Sequence, residues 1–196
     1  MDEIMNTVDH CNKLISERRS VFPASYTDRK IDKDIILQIL ENANYAPTHR
    51  LTQPWRFKVM EGEKLIDLGR ILADLYKEKM PADKFSEMKF KKTAEKPAKC
   101  SHVIAICMQR DEEERLPEWE EMAATAMAVQ NMWLTAHAYG IGAYWSSPST
   151  VDTDRFEFFL NLNKGQRCMG LFYMGYYETE LTAANRSPMS EKVEWL

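Results

Sequence analysis

A chain of 196 residues, 44% hydrophobic and 29% charged, is long enough for one domain around a sizeable core and too evenly mixed for a disordered or fibrous protein. A formal charge of −4 gives no reason to expect nucleic acid as a partner, and the lysines of 89–92 read as a solvated helix face balanced by Glu87 and Glu95. No apolar run reaches the ~18 residues of a membrane helix, and residues 1–9 are polar and acidic rather than signal-like, so a cytoplasmic protein is expected.

Residues 8–19 place Val8, Cys11, Leu14 and Ile15 at helical spacing. In the next helix Asp32 stands where a cap belongs. Ile35, Ile36, Ile39, Leu40 and Ala43 form one apolar stripe, with Pro47 beyond its end. Residues 57–60 read as a short strand closed by the turn at Glu61-Gly62, and 63–80 as a helix with Leu65, Leu68, Leu72 and Leu75 on one side. The charged stretch 82–99 is expected to be a mobile helical excursion, and the apolar run 103–108 a central strand.

The longest helix is expected to open at Pro117, with Glu118, Glu120 and Glu121 at the positive end of its dipole, and to stop at Gly140. Its alanines and methionines surround it on nearly all sides, which marks it as buried. Strands at 143–145 and 171–177 flank a helix at 152–162. Without a repeat or a linker, residues 1–196 read as one domain of the α+β class, with helices covering a small sheet of about four strands. No Gly-rich strand–turn–helix is present, so a Rossmann domain and a P-loop are not expected. Cys11, Cys100, Cys107 and Cys168 show neither CxxC pairing nor zinc-like spacing with histidine, and read as reduced thiols.

Three polar segments lie between regular elements. Arg18-Arg19-Ser20 follows the first helix: guanidinium groups there either complement the helix dipole or grip an oxyanion in bidentate geometry. The loop 46–55 crowds Thr48, His49, Arg50, Gln53 and Trp55 between two prolines, and loops on a rigid scaffold are where function tends to sit. In 140–148 the glycines end a helix and open a strand, after which Ser146 and Ser147 can present backbone donors.

Together, ERRS, APTHRLTQPWRFKV, GIGAYWSSP and LFYMGYYE resemble the FMN-dependent nitroreductase family, in the family's order and over nearly the whole chain. The resemblance implies a three-layer sandwich, a small and mostly antiparallel sheet between helices, assembled as a homodimer with FMN in two sites at the subunit interface. It implies that Arg18, Arg19 and Ser20 hold FMN from one chain, while the segment with Tyr45, His49 and Gln53 reaches it from the other. Trp145, Ser146 and Ser147 would lie along the isoalloxazine, and Arg186 would face the FMN phosphate. Phe22, Tyr45 and Ser146 stand where relatives carry basic residues, and Arg50 is the expected substitute for the one missing at Phe22. His137 reads as a packed helix residue, and 135–140 as a segment that meets the nicotinamide nucleotide.

The implied activity is ping-pong hydride transfer from NADH or NADPH, through FMN, to nitroaromatic, quinone or similar conjugated acceptors. No protein nucleophile is needed, which agrees with the lack of a Ser-His-Asp order or a metal cluster. The alternatives are a non-catalytic flavin sensor or store, a family member with different flavin chemistry, and a cofactor-free interaction protein anchored by Trp119 and Trp133. The dimer interface is expected to involve the long helix and residues 193–196.

Overall fold

The computed structural model describes residues 2–196; Met1, the first residue of the polar segment 1–9, lies outside the described residues. Four strands, β1 (Trp55–Met60), β2 (His102–Gln109), β3 (Ile141–Ser146) and β4 (Gln166–Tyr176), form one sheet in the order β1-β2-β4-β3, with every neighbouring pair antiparallel. Among the described residues six α-helices cover it: α1 (Asp2–Glu17), α2 (Lys33–Asn44), α3 (Glu63–Lys79), α4 (Glu87–Glu95), α5 (Glu118–Ala138) and α6 (Asp154–Phe159).

The two central strands bury both faces, which is why β2 reads as an unbroken apolar run. Ile104, Ile106, Phe172 and Met174 pack with Ile36, Ile39 and Ala43 of α2 and with Ala128, Val129 and Met132 of α5. On the other face Val103, Ala105, Cys107, Leu171 and Tyr173 meet Leu65, Leu68, Leu72 and Leu75 of α3 and Phe156 of α6. The period-two alternation of strand side chains thus feeds two cores, giving helix–sheet–helix layers.

Element boundaries differ from the sequence reading where tertiary pairing overrides local composition. β4 opens at Gln166 rather than 171, because Gln166 and Arg167 find partners in Gln109 and Met108. Asp32 occupies the α2 N-cap but makes no side-chain cap, and Pro117 is the α5 N-cap rather than its first turn. α6 is shorter than expected and starts at a built cap, where Thr153 Oγ1 accepts the Phe156 N–H at 3.3 Å. Thr153→Ala should cost about 1 kcal/mol. A thermal melt should then show a fall of roughly 2–4 °C; an unchanged melt would mean that the cap does not form.

The four cysteines are free thiols, Cys11 exposed and the other three buried. Among the described residues no helix is long and apolar enough to cross a membrane.

Candidate functional site

The Arg18-Arg19-Ser20 corner is fastened to the sheet. Ser20 bridges Ala143 in parallel, and the Val21 N–H donates to the Ala143 carbonyl at 3.0 Å, so residues 18–22 run beside β3. Arg19 clamps the surroundings by donating to the carbonyls of Ser16 at 2.6 Å, Arg18 at 2.8 Å and Thr182 at 3.0 Å. The last bond ties down the C-terminal segment. Arg186, on that same segment, lies close enough to Arg18 to repel it.

Burial, then the charges of Arg186 and Arg19, hold the Arg18 guanidinium below its ordinary pKa. Among the described residues none of the three arginines forms an ion pair with a carboxylate. Arg18 instead rests 4.6 Å over the Trp133 ring. Trp133 Nε1 is itself a buried donor without an acceptor among the described residues. Arg18, repelled by Arg186 and Arg19 and lying on a ring with an unsatisfied donor, fits an anionic group. His137 is half-buried nearby; burial first, with Arg18 and Arg19 adding to it and Glu17 opposing, holds its imidazole below the usual value.

Four residues along the chain, at most ~14 Å in extended form, Phe22 packs on Tyr144 with ring centroids 4.6 Å apart. Tyr144 in turn stacks on Tyr173 at 6.0 Å. Lys96, just past α4, places Nζ 4.8 Å from the Tyr144 centroid and 4.2 Å from that of Tyr173. Two cavities meet at this lysine. One of about 210 Å³ includes Tyr76, Thr93, Ser146 and Tyr173 in its wall; the other, about 340 Å³, includes Phe22, Pro23 and Tyr144. Lys96 is half-buried, has no carboxylate partner among the described residues, and is held below the ordinary lysine pKa chiefly by burial.

Lys96 is the site residue that sequence reasoning missed. It sits in a lysine-rich stretch that looks like solvated helix surface, and no local signal separates it from its neighbours. Phe22 and Lys96 line the same cavity, which the lysine reaches from just past α4.

The remaining residues divide. Ser146 lines the smaller cavity, and Ser147 follows the last β3–β4 pair, Ser146↔Leu171. Pro148 has no N–H, so Ser147 carries the backbone donor at this corner. Trp145 turns to the other face of the sheet, where it packs with the α2–α5 core and its Nε1 donates to the Met169 carbonyl at 3.4 Å.

Tyr45, His49, Arg50 and Gln53 form a separate, outward loop and line neither cavity. His49 Nδ1 lies 2.7 Å from Glu120 Oε2 on the first turn of α5, and Thr48 Oγ1 accepts the Gln53 N–H at 3.1 Å. Arg50, Leu51 and Gln53 adopt φ of 50°, 53° and 43°, a left-handed conformation that costs energy outside glycine and clusters at functional loops. Tyr45 is 75% and Leu51 79% exposed, so this loop offers its apolar groups away from its own chain.

The Nitroreductase family profile matches residues 15–176. Over 183 residues, 91% of this chain and 90% of the relative, the sequence is 28% identical to YfhC of Bacillus subtilis (strain 168), provisionally named an NAD(P)H nitroreductase. The fold matches a nitroreductase-like family protein from Bacillus cereus with a TM-score of 0.78 at 28% identity, covering 94% of each chain. A protein from Desulfovibrio desulfuricans provisionally named a nitroreductase, solved in complex with FMN, shares the fold with a TM-score of 0.71 at 24% identity, covering 92% of this chain and 93% of that one.

Proposed function

The chain belongs to the nitroreductase family, and on that premise we propose that it is an FMN-dependent oxidoreductase drawing on NADH or NADPH. Bound FMN would supply the electron chemistry, taking hydride from the nicotinamide and giving it, in a ping-pong cycle, to nitroaromatic, quinone or similar conjugated acceptors. The observation that carries this reading is two sets of cations, without carboxylate partners among the described residues, at the 18–22 segment beside β3: Arg18, Arg19 and Arg186 at its start, and Lys96 in the cavity that Phe22 lines. A phosphomonoester of roughly two negative charges answers the first group. The positive charge a flavin ring needs near N1 is answered by the second.

The chain's own residues bind, orient and tune. Arg18, Arg19 and Arg186 would hold the phosphate, with Ser20 beside them. Phe22 and Tyr144, in the wall of the larger cavity, would give the ring an apolar aromatic face, and Ser147 offers a backbone donor at its edge. Hydride transfer asks for no side-chain nucleophile, so placement and electrostatics are the protein's contribution.

The reading includes a homodimer. Ile4, Met5, Val8 and Ile15 of α1 are exposed, as are Met189, Val193, Trp195 and Leu196 near the C-terminus, and large apolar groups left on a surface mark an interface. In that dimer the loop carrying Tyr45, His49, Arg50 and Gln53 would close on the flavin of the other subunit, which supports its outward, strained form. Free thiols at all four cysteines support a reducing, cytoplasmic setting.

The test is an anaerobic spectrum. The purified protein should absorb near ~450 nm, bleach on adding NADH or NADPH, and regain colour on adding a nitroaromatic or quinone. A protein that stays colourless with added FMN, or bound flavin that neither nicotinamide bleaches, would remove the proposal; bleaching without recovery would make the protein a sensor. Lys96→Met should lower the midpoint potential of bound FMN by roughly 30–60 mV, a ten- to hundredfold change for a two-electron couple. Equilibration with a reference dye measures it, and a potential within 10 mV of wild type (on the order of a twofold change) would remove Lys96 from the ring.

A further inference from the structure

α4 and the turn after it carry lysines where the sequence led us to expect balanced charge. Lys89, Lys92 and Lys96 recur at i, i+3 and i+7, on one face of the helix, and Lys99 follows in the turn Pro97–Lys99. Glu87 and Glu95 do not balance them: among the described residues neither glutamate pairs with any of these lysines, and none of the lysines forms an ion pair at all.

Instead they line the cavities. The smaller cavity has Lys79, Lys89 and Lys96 in its wall and no acidic residue; the larger has Lys92, Lys96 and Lys99 against Glu95 alone. Like charges at this spacing work against the helix. Their concentration at one mouth, in a chain of formal charge −4, has no carboxylate ion-pair partner among the described residues.

The wall between these cations is apolar and aromatic. Lys89 Nζ stands 4.9 Å from the Tyr76 centroid, and Leu72, Met80 and Tyr173 line the same cavity. About 210 Å³ is room for one substituted aromatic ring, since an apolar cavity of ~150 Å³ holds benzene. An aromatic body with an acidic substituent satisfies both surfaces; a neutral ring satisfies only one.

We propose that the electron acceptor of this protein is an anion, a conjugated aromatic bearing a carboxylate or similar acid group, drawn in and held by Lys89 and Lys92 at the mouth of the Lys96 cavities. This rests on the oxidoreductase reading above. The same lysines could instead meet the phosphates of the nicotinamide donor, and the experiment separates the two.

Steady-state reduction of 4-nitrobenzoate and of 4-nitrobenzamide is compared, with the same donor, for wild type and for Lys89→Gln/Lys92→Gln. The double variant should lose about five- to tenfold in kcat/KM for the anion and less than about twofold for the amide. Raising ionic strength from about 0.01 to 0.15 M should lower only the wild-type rate with the anion. An anion-to-amide ratio equal in both proteins overturns the proposal, and so does a raised KM for NADPH with that ratio unchanged.

If neither compound is reduced, the anaerobic spectrum above decides the oxidoreductase reading, and titration calorimetry decides the anion site by itself. Benzoate binding that benzamide does not match and that the double variant loses supports it; no benzoate binding up to ~10 mM overturns it.

Discussion

Replacing Arg18 and Arg186 together by glutamine is expected to weaken FMN binding about a hundredfold, ~2.7 kcal/mol, without lowering the melting temperature of the flavin-free protein. The two halves of this expectation share one cause. Arg18 donates no hydrogen bond to an acceptor among the described residues and lies on Trp133, while Arg186 reaches only the carbonyl of its neighbour Asn185 at 2.9 Å. Arg186 holds nothing beyond its neighbour, and repulsion between the two guanidiniums offsets the cation–π contact of Arg18 with Trp133. Removing them should leave the flavin-free melt unchanged or slightly raised. Arg19 makes the contrast: its bonds to the carbonyls of Ser16, Arg18 and Thr182 fix the corner, so Arg19→Gln should lower the melt as well as the affinity. Quenching of FMN fluorescence gives Kd, and dye-based melting gives stability. A Kd within threefold of wild type would mean that the phosphate is held elsewhere (about 0.65 kcal/mol, half a decade on the affinity scale).

How much of this was legible beforehand depended on whether the information is local. The α2 stripe of Ile36, Ile39 and Ala43 and the apolar run of β2 announce themselves because burial on one or both faces leaves a periodic mark. Gln166 and Arg167 of β4 leave none; they are strand residues only because Gln109 and Met108 lie opposite. The site divides in the same way. Arg18, Arg19, Ser20 and Ser146 stand in recognisable motifs, and the fold brings Arg186 to Arg18 through the bond from Arg19 to Thr182. Lys96 has no motif. Its placement follows from the α4 path that sets it over Tyr144 and Tyr173, residues 48 and 77 positions further along, and no spacing rule reaches that far. The solvated helix face expected at 89–92 is there, with Lys89, Lys91 and Lys92 exposed on α4; what the local pattern does not show is that Glu87 and Glu95 form no ion pair with them.

That α4 path depends on one backbone contact, and breaking it should have the largest effect on stability. Gly69, buried in α3, faces α4 so closely that a Cβ built on it would fall 1.9 Å from the Ala94 carbonyl oxygen and 3.0 Å from its carbon. Gly69→Ala must therefore push the helices apart. The obstacle is backbone, so no smaller side chain at position 94 relieves it, and α4 has to move as a body with Thr93 and Lys96 on it. Overpacking of this kind costs roughly 3 kcal/mol. In a chain of this length that is a fall of about 6–12 °C in Tm. FMN affinity should drop about tenfold with it (~1.4 kcal/mol), because Lys96 leaves its place between the two cavities.

Gly62→Ala is the control. Gly62 has φ of +55° but nothing within 4 Å of an added Cβ, so its cost is conformational alone, about 1 kcal/mol, and the flavin affinity should not change. If Gly69→Ala melts no lower than Gly62→Ala, α3 and α4 do not touch as described. Lys96 would then lose the support that sets it over the two tyrosine rings.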